Sequence, residues 1–261
     1  MISLLESVIL GIIQGLTEWF PVSSSGHLAL YQNIFGLDVP VLFDIYLHLG
    51  TLLVLFIFFW KDIVKIASDV LCLRSETDEF EMGKYILIAT LVTGVVGFLF
   101  YDFISGLFLS LRGIGFGFLF TGLILITGKN IKPKKKEIGV LNSLIIGLFQ
   151  GIALIPGVSR SGSTIGIGII RGIDRVKLAR FSFLLSIPAI IGAGAIDTLS
   201  NYSGAIPFLA ENVLAVVLGV GFSAIVGYTC LSGLMKIIEK GKFHYFAYYC
   251  FAIGIITLIL A

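Results

Sequence analysis

Two short runs of this chain gather residue types that can do chemistry together. The first is Gln14-Gly15-Leu16-Thr17-Glu18-Trp19-Phe20-Pro21-Val22-Ser23-Ser24-Ser25-Gly26-His27. The second is Pro156-Gly157-Val158-Ser159-Arg160-Ser161-Gly162-Ser163-Thr164. Glu18 is an acid placed just before a serine-rich turn, and Gln14, four residues earlier, shares its helix face. Ser23, Ser24 and Ser25 supply hydroxyls and backbone N–H groups, and His27 follows them. In the second run Ser159 and Ser161 flank Arg160, with Thr164 one turn on. A half-helix starting near residue 162 offers its free N–H groups and positive dipole end to an anion. An arginine beside it adds a planar fork of donors suited to phosphate. One acid, one imidazole, several hydroxyls and one guanidinium at two anion-receiving helix ends amount to a phosphoryl site. Structural roles compete with this: Arg160 pairing with Glu18 only to cancel charge, His27 capping its half-helix, and small residues serving close packing.

The elements that must hold these runs are membrane elements. Of 261 residues, 57% are hydrophobic and only 13% charged, and mean hydropathy is +1.04. Soluble domains carry about 25% charge. The composition therefore excludes a soluble enzyme, a disordered chain and a disulfide scaffold. It also excludes a nucleic-acid binder, as does a net charge of only +2. An all-α integral membrane protein remains. Cys72, Cys230 and Cys250 show no metal-ligand spacing and read as packing residues or free thiols. Met1 runs straight into apolar sequence without a basic leader, so a cleaved signal peptide is not expected.

Basic residues set the topology. Sixteen of the eighteen fall in four clusters, at 61–84, 129–136, 171–180 and 236–242, which the positive-inside rule places in the cytoplasm. The connections 102–112 and 200–210 are poor in them and are placed outside. Spanning segments then fall at 42–60, 85–101, 113–128, 181–199, 211–235 and 245–261. Between the inside clusters 129–136 and 171–180 lie only 140–155 and the much shorter 162–170, joined by the second polar run. This spacing predicts a re-entrant hairpin with irregular backbone at membrane depth, tolerated where it is buried or lines a wet cavity.

The two runs are also copies. Gly11, Gln14, Gly15, Val22, Ser23, Ser25 and Gly26 recur as Gly147, Gln150, Gly151, Val158, Ser159, Ser161 and Gly162 at a constant offset of 136. A second hairpin is therefore expected over 3–19 and 24–36. The chain reads as one membrane domain of two repeats, about 1–128 and 137–261. Each repeat is a hairpin plus three spans, and the odd number of spans inverts the second copy. The tips would meet near the midplane, where transporter-like folds place their sites, and both termini would lie outside. Other ionisable groups in apolar segments are Glu6, expected at the interface; Asp197, expected to be solvated; and Asp44 and His48, either cavity lining or support. The lysine run 129–136 is read as a topology signal, with lipid headgroups as a secondary contact.

The two runs closely resemble the signature motifs of the undecaprenyl-diphosphate phosphatase family, also called the bacitracin-resistance proteins, and the length and motif separation match over the whole chain. The resemblance implies hydrolysis of undecaprenyl diphosphate to the monophosphate and inorganic phosphate in the cell membrane, recycling the carrier lipid for cell-wall polymers. It implies Glu18, Ser24 and His27 as catalytic residues, with Ser24 as nucleophile. Gln14, Ser23, Ser25, Ser159, Arg160, Ser161 and Thr164 would surround the diphosphate. It also implies a divalent cation, Mg2+ or Ca2+, with Glu18 as ligand. Many relatives have Glu where this chain has Gln14; an amide is no acid or base and a weaker ligand, so the burden shifts to Glu18. A polyprenyl diphosphate and the surrounding lipids are the expected partners. A homodimer is left open, and the outward first hairpin favours a site facing the outer side. The competing class is a transporter or flippase of the same lipids, which would not need the Glu18, Ser24 and His27 set.

Overall fold

The computed structural model describes the backbone of residues 2–37, 39–134, 137–200 and 202–261, and leaves undescribed the side chains of 197, 199, 200 and 202–205. The expectation for Asp197 and the 135–136 part of the lysine run lie outside the described residues.

The chain is helical throughout its described elements. α1 (Leu4–Trp19) and α2 (Ser24–Ile34) form the first hairpin. α8 (Gly139–Ile152) and α9 (Arg160–Ile170) form the second. Between and after them lie α3 (Val41–Phe58), α4 (Trp60–Leu71), α5 (Asp78–Leu99), α6 (Tyr101–Leu107), α7 (Leu111–Thr127), α10 (Arg175–Ser200), α11 (Tyr202–Glu239) and α12 (Phe246–Leu260). Among the described residues five helical segments, α3, α5, α10, α11 and α12 together with the turn before it (Phe243–Leu260), have the length and apolarity to cross a bilayer. α7 has 17 residues and, if counted as one span with α6 across a bend of 101°, brings the number to six. The outer surface of these helices is apolar: Phe98, Leu91, Ile57, Ile225 and Ile259 are each more than 65% exposed. A soluble protein seldom leaves so much apolar surface uncovered, whereas lipid solvates it at no cost. The protein is a multi-pass membrane protein.

Three connections depart from the sequence expectation. The charged stretch 61–84 holds α4, whose Lys61, Asp62 and Lys65 lie on a helix that also carries Trp60, Ile63, Val64 and Leu71. Such a helix is amphipathic and suits an interface. Ion pairs tie it down: Asp62 to Arg180 of α10 at 2.5 Å, and Lys65 to Glu79 of α5 at 2.7 Å. The connection 102–112, expected outside, holds most of α6. Most of the connection at 200–210 is absorbed into α11, which kinks at Asn212 (φ −125°, ψ 21°), where the side-chain Nδ2 donates back to the Phe208 carbonyl at 3.0 Å. Glu6 also has a local role. Ser3 and Glu6 close a reciprocal capping box at the start of α1, Ser3 Oγ accepting from Glu6 N and Glu6 Oε2 from Ser3 N.

The repeated glycines explain why both hairpins can sit inside the bundle. A Cβ on Gly11 would lie 2.4 Å from the carbonyl oxygen of Gly219 in α11, and one on Gly15 would lie 2.7 Å from that of Ser223. Their copies do the same against α5: a Cβ on Gly147 would come within 2.5 Å of the Ala89 carbonyl oxygen, and one on Gly151 within 2.6 Å of Val96 Cβ. Small residues let backbones approach where lipid supplies no hydrophobic drive for association. Each hairpin is therefore wedged by its Gly-x-x-Gln-Gly face against a long helix, and the intervening glutamines, Gln14 and Gln150, are carried inward and buried.

The tips themselves meet at glycine. A Cβ on Gly26 would fall 2.8 Å from Gly157 Cα. Gly157 has φ +86°, and a Cβ there would lie 2.1 Å from the Ile114 carbonyl oxygen of α7. Gly157→Ala combines a left-handed backbone with a clash against main chain. It is expected to destabilise the protein by about 2–4 kcal/mol, read as a lower midpoint of thermal unfolding in detergent.

Candidate active site

Glu18 is the junction of the two hairpins. It lies in the last turn of α1, 8% exposed, and both carboxylate oxygens are engaged. Oε1 accepts from Arg160 Nη2 at 2.7 Å. Oε2 accepts from Ser24 Oγ at 2.6 Å and from Gln14 Nε2 at 3.1 Å. His48 Nε2 stands 3.5 Å from the same oxygen. Arg160 opens α9, so the ion pair joins residues 142 positions apart in sequence. Its guanidinium lies over the Trp19 ring at 5.8 Å, and its Nη1 is buried with no protein acceptor. A donor left without a partner at that depth costs free energy unless a ligand meets it.

The two turns have matching caps. Ser23 Oγ accepts from Gly26 N at 3.2 Å and faces Ser25 Oγ at 3.3 Å. Ser159 Oγ accepts from Gly162 N at 3.1 Å and faces Ser161 Oγ at 3.3 Å. Serine caps of this kind satisfy one free N–H and leave others at the helix start for an anion. Ser161 Oγ also donates to the Phe20 carbonyl at 3.3 Å, linking one turn to the other.

A cavity of about 640 Å³ opens beside this junction. Its polar lining includes Glu18, Ser23, Ser24, Ser25, Ser159 and Arg160, together with Asp44, His48 and Gln150. The rest of its wall is largely apolar, with Leu28, Ile45, Leu49, Leu109, Leu154 and Ile190. One polar end with an ion pair and one hydrocarbon wall suit an amphiphile with an anionic head.

Not every residue named from sequence reaches this space. Thr164 is fully buried and donates behind the tip, to the Arg160 carbonyl at 2.8 Å, and lies 2.6 Å from Ser182 Oγ. Gln14 is buried beneath Glu18 and also reaches Thr51 Oγ1 at 3.4 Å. His27 lies on the far side of its helix, where Nδ1 meets the Ser23 carbonyl and Nε2 meets the Tyr249 hydroxyl, each at 2.7 Å. The imidazole nearest the carboxylate is that of His48. Asp44 stands one turn before it, and both its oxygens accept from Gln32 Nε2, at 2.9 and 3.1 Å. The i,i+4 spacing of Asp44 and His48 within an apolar span was the available signal for these two. Gln150 was legible as the copy of Gln14. Gln32 and Tyr249 carry no local signal, because only the packing of α2 on α3 and of α12 on the first turn gives them partners.

Comparison with known proteins settles the family. The model of the bacitracin resistance protein BacA family matches residues 7–256, a stretch that contains both hairpin tips and all the residues just described. The chain belongs to the BacA family. Among similar BacA-type relatives, an undecaprenyl-diphosphatase of Halothermothrix orenii is 41% identical, covering 97% of this chain and 96% of the relative. One of Methanosphaera stadtmanae is 37% identical, covering 100% and 99%. One of Treponema denticola is 40% identical, covering 97% of this chain and 96% of the relative.

Proposed function

We propose that this BacA-family chain hydrolyses undecaprenyl diphosphate, or a closely related polyprenyl diphosphate, to the monophosphate and inorganic phosphate. The observation that carries this reading is the Ser24–Glu18–Arg160 chain of hydrogen bonds at the polar end of an otherwise apolar cavity. The relatives' shared name supports the substrate. An isoprenoid tail takes the hydrocarbon wall, and the diphosphate reaches the two helix starts.

The proposed sequence of events follows from which atoms face one another. Ser24 Oγ attacks the terminal phosphorus, and its proton passes to Glu18 Oε2, which already accepts that hydrogen bond. The bridging P–O bond breaks and polyprenyl monophosphate leaves, its bridging oxygen taking the proton from Glu18 and so returning the carboxylate. Arg160 and the N–H groups at the start of α9 meet the charge that spreads over the phosphoryl oxygens. Water then attacks the phosphoserine with Glu18 taking its proton, and inorganic phosphate departs as Ser24 is restored.

The site suits a divalent cation only with help from the substrate. Among the described residues no group of three or more His, Cys, Asp or Glu side chains forms a metal cage. Gln14 Oε1 is nevertheless a buried oxygen without a partner, next to the Glu18 carboxylate. Mg2+ and Ca2+ take oxygen ligands, and Mg2+ commonly binds through one or two protein oxygens plus phosphate and water. Glu18 and Gln14 would hold such an ion, which would supply neutralisation of diphosphate charge.

The same reading assigns the protein to the plasma membrane, with inverted repeats and a site open to the outer side. Its supports are the three spans between hairpins, the meeting of the tips and the clustering of basic residues in four connections. The deciding experiment is phosphate release from undecaprenyl diphosphate by the purified protein in detergent, with Mg2+, with Ca2+ and with chelator. Release that chelator abolishes and either ion restores is expected. A folded sample that releases no phosphate under any of the three conditions would instead direct attention to lipid transport.

A further inference from the structure

α12 reaches the first turn at three places. Phe246 stacks on Phe20 with ring centroids 5.2 Å apart. The Cys250 thiol meets the Pro21 carbonyl oxygen at 3.3 Å. The Tyr249 hydroxyl lies 2.7 Å from His27 Nε2, and its ring stacks on the imidazole at 5.6 Å with an interplanar angle of 11°. Phe118 of α7 closes the imidazole edge-on from another side, at 5.1 Å. The other ring nitrogen, Nδ1, is 2.7 Å from the Ser23 carbonyl oxygen. A carbonyl only accepts, so Nδ1 carries the proton. In the neutral ring Nε2 then holds the lone pair, and the Tyr249 phenol donates to it. Both nitrogens are spent, and His27 is absent from the cavity wall.

What this arrangement holds is the backbone of Ser23. That residue has φ +66° and ψ 100°, a conformation that is rare outside glycine. Its carbonyl oxygen accepts from His27 Nδ1 and also lies 3.2 Å from His27 N. The next residue is Ser24, whose Oγ sits 2.6 Å from Glu18. A relaxation of Ser23 toward ordinary dihedral angles would rotate Ser24 off the carboxylate.

We infer that His27 and Tyr249 are a positioning pair: Tyr249, on the last helix, fixes the tautomer and orientation of His27, which holds Ser23 in the strained conformation that aims Ser24. The inference rests on the phosphatase reading for its kinetic consequence, but not for its structural one.

Two measurements test it. The chain has three histidines, so 15N-histidine NMR at a pH of about 8.5–9, above the ordinary histidine pKa of about 6.5, resolves their tautomers. His27 is expected as the Nδ1–H form with a hydrogen-bonded Nε2, whose resonance moves when Tyr249→Phe removes the donor. Kinetically, Tyr249→Phe is expected to lower kcat roughly 5- to 30-fold with KM held within about twofold. His27→Gln with Tyr249→Phe should be no slower than His27→Gln alone, since the second change acts through the first. Tyr248→Phe, which alters the neighbouring half-exposed tyrosine, should leave turnover unchanged. An Nε2–H tautomer in the wild type, wild-type kcat in Tyr249→Phe, or additive losses in the double variant would each overturn the inference. The NMR arm needs no turnover, so an inactive wild type with the expected tautomer would remove the phosphatase reading and leave the clamp in place.

Discussion

Arg160→Ala is expected to reduce phosphate release from undecaprenyl diphosphate by about 10²–10³-fold. Arg160 is the only cation hydrogen-bonded to Glu18 among the described residues, and its buried Nη1 has no protein acceptor. Truncation takes away the guanidinium at the polar end of the cavity, which the proposed function assigns to the phosphoryl charge. It also leaves Glu18 as a buried carboxylate without its counter-charge, which costs about 3–5 kcal/mol. Two further variants separate these losses. Arg160→Lys keeps a positive charge but not the planar fork, so stability should largely return while turnover stays low. Glu18→Gln combined with Arg160→Gln removes both charges, and its stability should lie well above that of Arg160→Ala because an intact buried pair contributes little net stability. That double variant should release no phosphate. Phosphate release by Arg160→Ala at more than a third of the wild-type rate would reduce the ion pair to a structural contact.

Ser24→Ala is expected to lower turnover by on the order of 10³-fold or more, the scale seen when a nucleophile is deleted from a working set. The argument is geometric. Among the described residues Ser24 provides the one hydroxyl hydrogen-bonded to Glu18, at 2.6 Å. It stands at the start of α2 and lines the cavity. Ser25 lines the same cavity, but its hydroxyl meets only Ser23 at 3.3 Å. Ser25→Ala should therefore cost only a few-fold, about 1 kcal/mol. A covalent intermediate gives an independent readout: acid quench during turnover, followed by mass spectrometry, should place a phosphoryl group on the peptide containing Ser24. Near-full activity in Ser24→Ala, with no phosphopeptide in the wild type, would transfer the attack to water and leave Ser24 as a support for Glu18.

Much of this protein was legible in one dimension because its physics is one-dimensional. A bilayer demands long apolar helices, so composition and charge clusters locate α3, α5, α7, α10, α11 and α12 to within a few residues, apart from the start of α5 and the long ends of α10 and α11. The lengths of 140–155 and 162–170 forbid two ordinary spans, and the repeat at offset 136 carries the same conclusion to the N-terminus. Glu18, Ser24 and Arg160 could be named because charges and clustered hydroxyls in such segments are too costly to be incidental. What the chain order could not express is which side chains face each other across the hairpins. Arg160 meeting Glu18, His48 taking the place beside the carboxylate, and His27 turning toward Tyr249 all depend on the approach of α1 to α11, α8 to α5 and α12 to α7. Those approaches are set by glycines such as Gly11, Gly147 and Gly254, whose missing side chains carry no label of partner. Helix periodicity assigns a residue to a face, but only the packing of distant helices decides what that face meets.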